Sequence, residues 1–98
     1  MDHVASIVAD IHLTKPEALA VIAATLDAPV QGARTATAFV GLPQGGWVDV
    51  EVPKFGEAPP LTLDVHDPRG QAEARASAQS LLDLLNDIAG WPVHHLHD

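Results

Sequence analysis

Apolar and polar positions alternate over residues 3–13. Ile7, Ala9, Ile11 and Leu13 fall on one side, and Ser6, Val8, Asp10 and His12 on the other. A period of two over this length predicts a half-buried strand, although Val4 and Val8 place apolar atoms on the polar side. The pattern changes at Thr14. Thr14 can cap a helix, Glu17 stands three residues on as in a capping box, and Pro16 is tolerated in a first turn. Leu19, Ile22, Ala23 and Leu26 then recur at helical spacing until Pro29 stops the helix and Gln31-Gly32 enters a loop.

Residues 35–42 are small and β-branched, which predicts a strand whose facing is ambiguous. Ala36, Ala38 and Val40 compete with Thr37 and Phe39 for the inner side. Pro43-Gln44-Gly45-Gly46 is turn chemistry, and residues 47–52 alternate cleanly, with Val48, Val50 and Val52 inward and Trp47, Asp49 and Glu51 outward. Two strands around a Pro/Gly turn predict a hairpin. A loop with Pro53, Pro59 and Pro60 follows. Leu61, Leu63 and Val65 then face inward against Thr62, Asp64 and His66. Asp67-Pro68 is read as the opening of a second helix with Asp67 as its cap. Ala74, Ala78, Leu81, Leu82, Leu85 and Ile88 give that helix its apolar stripe. Gly90 suits a left-handed C-terminal position, and residues 93–97 predict a short last strand.

The predicted order is β-α-β-β-β-α-β in a single domain over residues 1–98. Each helix follows a strand and precedes Pro-Val (Pro29-Val30, Pro92-Val93), a weak internal repeat. The fold class expected is α+β, a two-layer α/β sandwich with both helices on one face of a mixed sheet, a ferredoxin-like variant with an extra strand. Across the sheet the segments would run 35–42, 47–52, 61–66, 3–13, 93–97. Strands 3–13 and 61–66 would be adjacent and parallel.

Composition narrows the function classes. The chain carries 5 basic and 13 acidic residues, a formal charge of −8, with no Lys or Arg beyond Arg75. Direct contact with nucleic-acid phosphates and attraction to anionic membranes are disfavoured, whereas a basic protein partner would be steered in. Cysteine is absent, which excludes disulfides, thiolate metal sites and a Cys nucleophile, and fits a reducing, cytoplasmic setting. No signal peptide is expected, because a positive n-region is missing and Asp2, His3 and Asp10 interrupt the apolar run, and no membrane span is expected, because no stretch approaches ~20 apolar residues.

Parallel pairing of the two strands would set His12 beside His66, each with an Asp (Asp10, Asp64) two residues earlier on the same face. His95 and His97 would be added from the last strand. Two imidazoles and one or two carboxylates can ligate zinc or a related divalent ion, or work as an acid-base site. No recognised ligand spacing accompanies them, and an open sheet face excludes little water. The segment from Gly41 to Gly46 lacks the lysine of a phosphate cradle, and Ser6, Ser77 and Ser80 sit in no nucleophile elbow. Asp83 and Asp87 stand one helical turn apart and repel, which suits a solvated helix face. His94, His95 and His97 suit a polar edge strand.

The same outward positions also read as a recognition face. Asp10, His12, Asp49, Glu51, Asp64 and His66 surround Trp47, an aromatic inside a charged rim. The expectation is a non-catalytic binding protein without cofactor or metal that docks a basic protein through this face. A small immunity protein or antitoxin blocking a cationic toxin has this profile, as does a DNA-mimicking inhibitor. The alternatives are a small metal-dependent enzyme using His12, Asp64 and His66, and a homodimer whose sheets pack through Trp47 and Val8.

Overall fold

Two seven-residue strands form the middle of the sheet in the computed structural model, which describes residues 3–32, 35, 38–43, 45–51 and 61–95. They are β1 (His3–Ala9) and β5 (Leu61–Asp67), paired along their full length from His3 opposite Asp67 to Ala9 opposite Leu61. β4 (Trp47–Glu51) lies on the other edge of β5, followed by β3 (Phe39–Gly41) and β2 (Val30–Gln31), while β6 (Val93–His95) flanks β1. The order is β2-β3-β4-β5-β1-β6 and every neighbouring pair is antiparallel.

The α+β class and the predicted lateral order of the five longer segments both hold. The sheet, however, is antiparallel throughout rather than mixed, and β1 and β5 are not parallel. The cause is β2. The chain reverses direction at every element, so a two-residue strand where a loop was expected adds one reversal and turns every later strand end for end.

α1 (Lys15–Leu26) packs over β2, β3 and β4, and α2 (Gln71–Leu84) over β1 and β5, on the same side of the sheet. Ile7, Val40, Val48, Val50, Leu63 and Val65 meet Leu19, Ile22, Ala78 and Leu81 in one core, each at most 1% exposed. Each large aliphatic in that core contributes ~1.5–3 kcal/mol relative to exposure. The ambiguous segment resolves with Ala38, Val40 and Leu42 inward and Phe39 on the other side. Val52, the 53–60 loop and His97 lie outside the described residues.

The capping box of α1 forms as predicted: Glu17 N donates to Thr14 Oγ1 at 3.3 Å and Thr14 N to Glu17 Oε1 at 3.0 Å. Asp67, in contrast, is not the cap of α2. It is the last residue of β5 and fully buried, and α2 begins after Gly70 with no side-chain cap. Its carboxylate serves the connection instead. It accepts Arg69 N at 2.9 Å, Arg69 Nε at 2.9 Å and Arg69 Nη2 at 2.6 Å. Ile88 also leaves its predicted place. α2 runs on into a π turn over Leu85–Ala89, whose wider winding rotates Ile88 out of the apolar stripe to 65% exposure. Gly90 closes the turn in the left-handed region at φ 71°, as expected.

Candidate functional site

Among the described residues no helix covers the second sheet face. Alternation along the strands puts Trp47, Asp49 and Glu51 of β4 there, with Thr62, Asp64 and His66 of β5, Val4, Ser6 and Val8 of β1, and His94 of β6. Their neighbours Val48, Val50, Leu63, Val65 and Ile7 fill the core on the other side.

Register decides who meets whom. Trp47 stands opposite His66, Asp49 opposite Asp64, and Glu51 opposite Thr62. The Trp47 and His66 rings stack with centroids 5.0 Å apart and planes 4° from parallel. His66 Nε2 lies 3.1 Å from Asp49 Oδ2. An ionised carboxylate only accepts, so Nε2 carries the hydrogen and Nδ1 is left buried without a hydrogen-bond partner among the described residues. Asp64 receives a hydrogen bond from Ser6 Oγ at 2.7 Å. Two like charges directly opposite each other cost ~0.2–1 kcal/mol. Here each carboxylate is drawn to its own donor, Asp49 to the imidazole and Asp64 to the hydroxyl.

Gly46 fixes this geometry from below. It ends the β3–β4 turn, where Leu42 N donates to Gly46 O at 2.8 Å, and a Cβ at this position would run into the His66 carbonyl oxygen. Backbone therefore approaches His66 directly, one residue before Trp47.

The structure brings Trp47, Asp49, Glu51, Asp64 and His66 together but leaves out Asp10 and His12. β1 ends at Ala9. Because the pairing is antiparallel, His66 lies beside Val4, and His12 follows the opposite end of the strand. From Val4 to Ala9 is already roughly 17 Å at strand rise. Asp10 Oδ2 instead sits 4.0 Å from His94 Nδ1, and both groups are exposed. His95 is on the helix side, where its Nε2 lies 2.6 Å from Gln79 Oε1 of α2. Its parity with the buried Val93 was the signal that placed it there. The pair His12–His66 needed for a metal or acid-base site is thus not assembled, and among the described residues no group of three or more His, Asp or Glu side chains is placed to hold a metal ion.

Charge elsewhere is tied to structure. The Arg69 guanidinium, donating to the Asp67 carboxylate, holds the Asp67 pKa down to about 2 against the opposing effect of burial. Hydrogen bonds from Thr14, backbone first, lower that of Glu17. A cleft of about 680 Å³ runs between the β1 edge at Val4, Ala5 and Ser6 and the α2 side chains Gln71, Arg75 and Gln79. Gln71 Nε2 already donates to Val4 O at 2.8 Å across it. Among the described residues no helix is long and apolar enough to cross a membrane. Comparison of the chain with protein-family models, curated proteins and solved structures gave no match.

Proposed function

We propose that this protein is a non-catalytic binding module that docks a basic protein partner on the helix-free sheet face. The observation that carries the reading is the cluster around Trp47. Asp49, Asp64 and Glu51 lie on adjacent strands with no Lys or Arg among the described face residues, beside an aromatic pair joined by stacking and by the His66–Asp49 hydrogen bond. Rigid aromatics within a charged rim suit an interface hot spot, and a carboxylate field accelerates encounter with a cation. An immunity or antitoxin role against a cationic toxin, exercised in the cytoplasm, is the specific form we favour.

His12 and Asp10 lie at the far end of β1 and form no part of this centre. Val8 is 4% exposed between Thr62 and His94, which gives less support to a homodimer packed through Trp47 and Val8. The test is retention of cationic proteins from the source cells on immobilised wild type and on the Asp49→Lys/Glu51→Lys variant, with folding checked by circular dichroism. The reading expects a partner held by wild type, released by salt, and absent from the variant. Equal retention by both contradicts it.

A further inference from the structure

Beyond Glu17 the outer side of α1 lacks the charged residues that a surface helix ordinarily shows to water. Between Glu17 and Asp27 the chain has no charged side chain. Ala20 and Ala24 are exposed, and Val21 and Thr25 half-buried. The hydroxyl of Thr25 donates back to Val21 O at 2.8 Å, so the stretch from Ala18 to Leu26 satisfies its one polar side chain internally. Beside this stretch the π turn presents Ile88. In a continuous α-helix Ile88 would extend the buried stripe of Ala78, Leu81 and Leu85, but the π winding exposes it instead. A π turn is a rare irregularity that often marks a functional position. Its consequence here is to project a large aliphatic residue beside a groove of about 390 Å³ lined by Ala20, Val21, Ala24, Thr25, Ile88 and Ala89.

We propose that two copies of this chain associate through this face about a two-fold axis, with Ile88 of each copy seated in the Ala20–Ala24 groove of the other. The choice of occupant follows from charge and shape. At −8 the chain meets cationic partners through its carboxylates, and a groove lined without any ionisable group offers such a partner nothing. Two copies of the same acidic chain repel least where the contacting residues carry no charge; the α1 groove is lined by such residues, and the exposed Asp87, next to Ile88 in the chain, is the carboxylate nearest to it in sequence. The face also holds both halves of a contact, a projecting Ile and a hollow of small residues, which is what a self-complementary interface requires. The helices and the acidic cluster lie on opposite sides of the sheet, so the dimer leaves both Trp47 faces open to partners.

Sedimentation velocity from micromolar to millimolar concentration tests this on the full chain. The wild type should approach twice the chain mass of 10.3 kDa. Ile88→Asp and, separately, Ala24→Arg should each raise the dimer dissociation constant at least ~30-fold. Both positions are exposed, so circular dichroism, and the unfolding midpoint in solutions dilute enough for the wild type to be monomeric, should barely change; if Ile88→Asp fails to fold, Ala24→Arg decides alone. A wild type that stays monomeric overturns the proposal, as does a dimer unaffected by Ala24→Arg. A dimer that dissolves in Trp47→Ser while surviving Ile88→Asp also overturns it, since the contact would then lie on the sheet.

Discussion

The chain contains two strand–helix–strand units with the same local grammar and different outcomes. In β1–α1–β2 a central strand leads to a helix and then to Pro29-Val30 on one edge of the sheet. In β5–α2–β6 the neighbouring central strand leads to a helix and then to Pro92-Val93 on the other edge. The first unit passes over β5, β4 and β3 to place its last strand, and the second passes over β1 alone. α1 is fixed at its start by a capping box and is uncharged through its middle. α2 starts without a side-chain cap, carries Glu73, Arg75 and Asp83, and ends in a π turn. Repetition of pattern therefore sets the architecture of both units, while caps and helix endings set what each shows to its surroundings.

The two units meet in one shared core. Ile22 of α1 and Leu81 of α2 are both essentially inaccessible to solvent. Replacing either by Ala should cost ~2–5 kcal/mol in urea unfolding with one transition in each case. Two transitions after Ile22→Ala would mean that the units unfold separately and do not share one core.

The strand-to-helix connections differ in charge. Only the second uses a buried carboxylate, Asp67, whose pKa falls from about 3.8 to about 2 in the folded chain. A carboxylate with a depressed folded pKa contributes stability that is fully present above its unfolded pKa and is lost as pH falls towards the folded value. The wild type should therefore lose this contribution between about pH 4 and pH 2. Asp67→Asn should have a lower midpoint at pH 7 and a flatter acid limb over that window. Parallel acid limbs would remove Asp67 from the account.

The smallest effects concern the caps. Thr14→Ala should cost about 1 kcal/mol through loss of the capping box. Gly70→Ser would give α2 the Ser-x-x-Glu arrangement with Glu73 that α1 already has, and should gain a few tenths of a kcal/mol. Thermal melts of the two variants should shift in opposite directions.

Most of the fold was legible because alternation and helical spacing are strong signals in this chain. Both helices, the Thr14–Glu17 box, the Pro43–Gly46 turn and Gly90 follow from residues whose local chemistry dictates them. The direction of β3, β4, β5 and β6 relative to β1 was not legible. Val30 and Gln31 are too short a segment to show a period, yet pairing them with Val40 and Phe39 reverses every later strand. The candidate site inherits that reversal. Which residues face away from the helices depends on parity and was readable for Trp47, Asp49, Glu51, Asp64 and His66. Which of them are neighbours depends on register, and that separated His12 from His66 and set Trp47 against His66 instead. Ile88 escaped the sequence for a related reason, because nothing in Leu85 to Ala89 announces a π turn.

The claim that these carboxylates recruit a cationic partner is tested most directly by the association rate. Stopped-flow mixing of the captured partner with wild type, across a range of ionic strength, should give a rate that falls steeply with salt. The Asp49→Lys/Glu51→Lys variant should associate at least ~10-fold more slowly at low salt and with a much weaker salt dependence. Identical rates and identical salt dependence for the two proteins would contradict the account.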